Sequence, residues 1–303
     1  MPRYFTEASS AEVVNARIGL GADPRLAEVM ASLVRHLHAF AKEVGLTQAE
    51  WDLGIDFLTS TGQMSSGERQ EFILLSDVLG LSMLVDAISN RLEGGGTEST
   101  VLGPFHVDGA PILEMGANIC LDGKGETCLF EGKVRSLNGA PVEGAYVDVW
   151  CDNADGFYDV QQPRIQPKWN NRGRFVTGAD GRYFFHGILP TVYAIPDDGP
   201  VGRMLRHLGR HPYRPAHMHF LVTAPGHRKL VTHVFVGGDG YLESDAVFGV
   251  KESLIAAFDE VKNADTRWRS SFDFVLTPDS APARGSGVRS GGAAPSFIAS
   301  PSC

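Results

Sequence analysis

Cysteine is scarce: Cys120, Cys128, Cys151 and Cys303 are the only four in 303 residues, and no two form a C-x-x-C pair. A paired-cysteine metal or redox motif is thereby excluded, and scattered cysteines without a secretion signal are ordinarily reduced thiols. Long apolar runs are also missing, since nothing approaches the ~20 residues of a membrane helix. The opening MPRYFTEASSAEVVNARIGL carries no apolar run behind basic residues, so neither a signal peptide nor membrane insertion is expected, and the expected location is cytoplasmic. Positive charge is in deficit. The 27 Lys and Arg against 36 Asp and Glu leave a formal net charge of -9, which argues against nucleic acid or an anionic membrane as partner. A small anionic substrate stays compatible, provided a local cation or metal receives it.

What is present is ordinary for a globular chain, 43% hydrophobic and 21% charged, and long enough for one large domain or two smaller ones. Residues 1–98 read as helical. DPRLAEVMASLVRHLHAFAKEVG spaces Leu26, Met30, Leu33, Val34 and Leu37 for a helix that stops at Gly45. Thr47-Gln-Ala-Glu50 has the form of a capping box. ERQEFILLSDVLGLSMLVDAISNRL continues as a third helix, apolar nearly all round and so expected to be buried, ending at Gly94-Gly95-Gly96. From 99 to 278 the texture changes to short β-branched and aromatic segments, CLFEGKV, AYVDVWC, GRYFFHGIL, HMHFLVTA and KLVTHVFV, with RWRSSFDFVLTP as the last strand. Turn residues between them suggest an antiparallel sandwich. From 279 to 303 a small, glycine-rich tail is expected to be disordered.

His217-Met218-His219 opens one of these strands. Residues i and i+2 of a strand share a face, so two imidazoles project together. That suits a metal, although an ordinary strand can also carry two histidines. His36 and His38 have the same spacing but on a helix, where they diverge. Two tyrosines stand in loop-like contexts: Tyr158 in DNADGFYD and Tyr193 in LPTVYAIP. Each alone reads equally as a half-buried aromatic packing a turn.

Taken together, GAYVDVWCDNADGFYD, YFFHGILPTVYAIPDDGPVG and RPAHMHFLVTAPGH resemble the intradiol ring-cleaving dioxygenases, and among them the members acting on hydroxyquinol. The resemblance runs from the first helices to about Pro278. It implies a mainly β protein with N-terminal helices: a mixed-topology sandwich carrying iron(III), and a helical segment forming a homodimer contact with a phospholipid held between helices. It also implies Tyr158, Tyr193, His217 and His219 as iron ligands. Tyr193 would accept a substrate proton, Arg214 would stabilise charge on the ring, and His233 would donate a hydrogen bond near it. The substrates would be a small aromatic diol or triol and O2.

The expected pocket wall is Leu74, Asp77, Val101, Leu102, Gly103, Pro104, Ile195, Pro196 and Val247. Leu74 and Asp77, three apart, share a helix face. A carboxylate facing plain catechol would lack a polar partner, which a third ring hydroxyl could supply. Two alternatives stand beside this reading. One is a catechol- or chlorocatechol-cleaving member of the same family. The other is a non-catalytic module, because GKVRSLNGAPVEGAYVDVW and ADGRYFFHGILP are also similar to transthyretin-like scaffolds.

Overall fold

Three helices make up the first of the two units into which the computed structural model divides, Met1–Ser66 and Gly67–Cys303. The structure describes residues 4–66, 69–92, 94–261 and 266–279. The helices are α1 (Ser10–Asn15), α2 (Pro24–Glu43) and α3 (Gln48–Met64). Their starts follow local chemistry. The Asp23 carboxylate accepts from the Leu26 N–H at 2.8 Å, with Pro24 in the first helical turn. Thr47 and Glu50 form the reciprocal capping box that their spacing suggested. The apolar stripe of α2 is left open in the single chain, with Leu33, Leu37 and Phe40 all exposed.

The second unit begins with α4 (Glu71–Val78) and α5 (Leu81–Ser89), where one continuous, buried helix was expected. Both parts of that expectation fail. Gly80 adopts φ 74° between the pieces, and their axes bend by 79°. A residue without Cβ enters the left-handed region at little cost, and an α-helix does not continue through it. Leu81, Leu84, Val85 and Ile88 are exposed rather than covered. By contact, then, α4 and α5 belong with the sheets, although composition changes only near residue 98.

Two five-stranded sheets follow. In the first, β1 (Thr127–Ser136) pairs with β4 (Arg182–Ile188), β11 (Trp268–Ser271) and β12 (Phe274–Leu276), and β10 (Asp259–Glu260) extends the edge. The second runs β3 (Arg172–Val176), β2 (Tyr146–Trp150), β7 (His217–Thr223), β8 (Leu230–Val236), β9 (Ile255–Ala256). A two-stranded ribbon joins β5 (Tyr193–Ala194) to β6 (Tyr213–Arg214), with α6 (Pro200–His207) between them in the chain. The topology is mixed: β11 and β12 run parallel to β1, and β9 runs parallel to β8. The turn spacing alone had suggested an antiparallel sandwich. Parallel pairing is a long-range choice that turn residues do not report. RWRSSFDFVLTP likewise proves to be two strands on one partner.

Between the sheets lie Phe130, Phe175, Phe185, Phe220 and Phe274, all essentially inaccessible. Each such side chain contributes roughly 1.5–3 kcal/mol through burial. Along β7 the alternation is strict. Met218, Phe220 and Val222 enter this core, so His217 and His219 point to the opposite face. The glycine-rich tail expected beyond 279 lies, from residue 280 on, outside the described residues.

Candidate metal centre

Sheet register assembles most of the site. Trp150 of β2 pairs with His219 of β7, which pairs with His233 of β8, so the three side chains form a row on one face. Trp150 stacks on His219 with ring centroids 4.7 Å apart, and His233 meets His219 edge-on at 4.2 Å. In the ribbon, Tyr193 lies directly opposite Arg214. Tyr158 arrives from the loop after β2. There the Asn153 side chain accepts from the N–H groups of Asp155 and Phe157, closing a tight turn. The loop is anchored by the buried Asp159–Arg172 pair at 2.6 Å, and Phe105 stacks on the Tyr158 ring at 4.5 Å.

Four lone-pair atoms converge. Tyr158 Oη is 2.9 Å from His219 Nε2, and His219 Nε2 is 3.2 Å from His217 Nε2. The rings of Tyr158 and Tyr193 meet edge-on with centroids 5.5 Å apart. Arg214 Nη1 donates to Tyr193 Oη at 3.3 Å and sits equally close to His217 Nε2. His217 Nδ1 is 2.7 Å from the Pro215 carbonyl, which can only accept. The Nδ1 therefore carries the proton, and Nε2 presents its lone pair inward. All four rings are buried.

The electrostatics are those of a site waiting for positive charge. Burial, reinforced by Arg214, holds His217 down at about 3. Burial also holds His219 and His233 well below the ordinary histidine range, so all three imidazoles are neutral. Burial raises both phenols, and for Tyr193 the nearby Arg214 offsets part of the rise. Neutral phenols give up their protons to a bound cation, as metal-bound water and thiols do. His219 Nδ1 and both nitrogens of His233 have no hydrogen-bond partner in the protein. Buried polar atoms without partners point to a missing one. One ring nitrogen from each of His217, His219 and His233 lies within 4.8 Å of the other two, close enough for the three to face one ion. Neutral nitrogen donors beside ionisable oxygen donors fit a hard, oxidised transition metal.

Arg214 is not the surface residue that its Pro212-Tyr213-Arg214-Pro215 context allowed. Its Nε and Nη2 fork onto the two oxygens of buried Asp245 at 3.1 and 3.2 Å. Burial is the largest effect and works against both charges, but the neighbours together outweigh it: Asp245 and Tyr193 raise the arginine, and Arg214, His217 and the Val247 N–H lower the aspartate. Asp245 also accepts from the N–H groups of Val247 and Gly249. A Cβ at Gly249 would sit 2.9 Å from Arg214 Nη2, so only glycine leaves room for the pair.

Beside Phe105 a small cleft takes in Leu74, Asp77, Pro104 and Pro196 from the expected wall. Gly103 lies instead against the donor cluster: its φ is 76°, and a Cβ would stand 3.1 Å from His219 Cε1. Ile195 and Val247 are buried, and Leu102 is exposed, as Val101 is in part. Burial raises the Asp77 carboxyl, with Ser82 and Arg214 pulling the other way, while the Ser82 hydroxyl itself donates to Ser76 Oγ at 2.9 Å. Asp245, Gly249 and Phe105 carry no signal in the sequence. Asp245 stands 31 positions from Arg214 with no motif joining them.

The comparisons with known proteins agree with this geometry. The family described as "Dioxygenase" matches residues 101–278, and "Catechol dioxygenase N terminus" matches 23–97. The chain is 56% identical to a hydroxyquinol 1,2-dioxygenase of Rhizobium sp. (strain MTP-10005), over 90% of this chain and 96% of the relative. It is 53% identical to a 6-chlorohydroxyquinol 1,2-dioxygenase of Cupriavidus pinatubonensis, over 90% and 98%. Among solved structures, a hydroxyquinol 1,2-dioxygenase from Pseudomonas putida DLL-E4 superposes with a TM-score of 0.86 at 45% identity, covering 90% of this chain and 99% of that one.

Proposed function

The chain belongs to the intradiol ring-cleaving dioxygenases, and from that premise we propose that it opens hydroxyquinol, 1,2,4-trihydroxybenzene, with O2 to give maleylacetate (3-hydroxy-cis,cis-muconate). Both oxygen atoms enter the product, and the carbon–carbon bond between the two adjacent hydroxyl-bearing carbons breaks. The reading rests on one observation above all: Tyr158 Oη, Tyr193 Oη, His217 Nε2 and His219 Nε2 converge beneath a buried arginine.

Those four residues would hold iron(III), with His233 behind them. Bound there, the ferric ion supplies the charge that turns both phenols into phenolates and draws electron density from the diol, making its ring reactive toward oxygen. Tyr193 is the side chain placed to take a proton from an incoming diol hydroxyl, because Arg214 steadies its oxygen in either protonation state. Arg214 also presents fixed positive charge to the ring as negative charge develops there. His233, with two unpartnered nitrogens, can donate toward the substrate. Phe105, Pro104 and Leu74 exclude water from one side, and Asp77 gives the third ring hydroxyl an acceptor. The identity of the hydroxyquinol-acting relatives favours this diol over catechol or chlorocatechol, and membership of an enzyme family sets the scaffold alternative aside.

The exposed apolar face of α2 supports a homodimer through the N-terminal helices, with a phospholipid between them. No single helix among the described residues is long and apolar enough to cross a membrane, and Cys120, Cys128 and Cys151 are free thiols. Both suit a cytoplasmic location. We propose residues 1–98 as a helical segment, whose α4 lends Leu74 and Asp77 to the pocket, and 99–278 as the catalytic sandwich.

The test is anaerobic titration of the iron-loaded protein with hydroxyquinol and with catechol, followed by admission of oxygen. The expected result is a red-brown protein whose visible band moves to longer wavelength, more readily with hydroxyquinol, and then a ring-opened acid. A colourless protein at one iron per chain, or a band that neither diol moves, would overturn the reading.

A further inference from the structure

Arg210 follows α6 and has no part in the donor cluster. Its backbone N–H returns to the Leu205 carbonyl, which fixes it at the end of that helix. From there its guanidinium spans two other elements. Nη1 donates to the Val78 carbonyl at 2.6 Å, and Nη2 donates to the Ala246 carbonyl at 2.9 Å. The planar group also lies 4.9 Å over the Phe248 ring. Each acceptor neighbours a carboxylate that the site uses. Val78 follows Asp77 and ends α4, while Ala246 follows Asp245, the partner of Arg214.

The surroundings show that this arrangement is constrained. Phe248 is held at φ 60°, an unusual conformation for a bulky side chain, and it is exposed. Its ring lies against Gly80, where a Cβ would approach to 3.4 Å. The Gly80 turn, Phe248 and Arg210 therefore close around one another at the C-terminus of α4. A cation at that end also meets the negative pole of the helix. Only a forked, flat cation can bond two divergent carbonyls and cover an aromatic face; an ammonium is a point charge.

We propose that Arg210 is a positioning residue, which fixes the Leu74–Asp77 wall of the cleft relative to the Asp245–Arg214 pair and thereby sets substrate preference. It touches neither substrate nor metal. Its effect passes through backbone at both ends: the last turn of α4 on one side and the 245–249 loop on the other. The substrate arm of the test rests on the hydroxyquinol reading above; the exchange arm does not.

The experiment compares iron-loaded wild type with Arg210→Met, which keeps the bulk over Phe248, and Arg210→Lys, which can reach one carbonyl. Iron content and the visible band are expected to be unchanged. The Leu79 and Gly80 amides, which close the last turn of α4, should exchange hydrogen at least ~tenfold faster in Arg210→Met, as loss of two charge-assisted bonds would require. The ratio of kcat/KM for hydroxyquinol over catechol should fall roughly fivefold, in KM more than in kcat, with Arg210→Lys between. Unchanged exchange would overturn the proposal, and so would faster exchange with an unaltered preference. Loss of iron in both variants would also overturn it, because Arg210 would then be supporting the metal cluster alone. If the wild type itself shows no preference for hydroxyquinol, the substrate reading fails separately and exchange alone decides the role of Arg210.

Discussion

The donor cluster takes its two histidines from one strand and Tyr193 from a two-stranded ribbon, whereas the cleft wall beside it is one short helix and a loop. The strands hold the histidines by register: His219 is fixed between Trp150 and His233 by two ladders of backbone hydrogen bonds. The wall has no such ladder. Leu74 and Asp77 ride on the eight-residue α4, tied to the rest through the Glu71 carboxylate on the Val201 N–H and through Arg210. The cluster is sealed, while the wall is partly open to solvent. The difference is one of support: the donor groups are built into the sheet, and the proposed selecting groups ride on an element held at fewer points.

Three measurements bear on that contrast, in order of expected effect. Acid should strike the cluster and spare the wall. His217 has a folded pKa of about 3 against an ordinary 6.5, so the unfolded chain takes up the proton first as pH falls. Its contribution is full above pH 6.5 and is lost as pH falls toward 3, at up to about 1.4 kcal/mol per pH unit. Urea unfolding of iron-free protein should show stability dropping through that window, and added iron should move the loss to lower pH. A flat profile from 6.5 to 4 would mean that the imidazoles are not buried as neutral groups.

Asp245→Ala should come next. It leaves the Arg214 charge buried without its partner, which costs about 3–5 kcal/mol. The melting temperature should fall and kcat should drop with it, while the relative KM for different diols changes little. A variant as stable as the parent would show that the pair is dispensable. Asp77→Ala is the mildest and should act only on the wall. Iron content and melting temperature should hold. Preference for hydroxyquinol over catechol should fall roughly tenfold to a hundredfold, the worth of a hydrogen bond to a charged acceptor. Because burial raises the pKa of this carboxyl and so weakens it as a charged acceptor, the lower end is expected. Equal kcat/KM ratios before and after would remove Asp77 from the recognition of substrate.

Much of the fold was legible because its causes are local. The Asp23 and Thr47 caps, the period of α2 and most of the strands follow from neighbours a few residues apart. Where the cause was distant, the reading failed. One helix was expected over residues 68–92 because its apolar period is unbroken, yet Gly80 turns left-handed against Phe248, a residue 168 positions later by number (248 − 80). In the site, the spacing of His217 and His219 put both imidazoles on one face, but it could not say what they met. Tyr158 and Tyr193 stood out by their loop-like contexts, but only the resemblance gave them a ligand role, since nothing in a single tyrosine on a loop marks it as a ligand.

By itself the sequence determined what each segment could become: which stretches wind, which extend, which residues pair on one face, and a net charge that argues against a polyanion as partner. Those outcomes depend on forces that decay within a turn or a strand's pleat. Only the tertiary structure decided that a ribbon tyrosine, a loop tyrosine and two strand histidines share one buried point, and that Asp245 rather than solvent receives Arg214. Such meetings depend on sheet register and on excluding water from paired charges, and both exist only once the whole unit has closed.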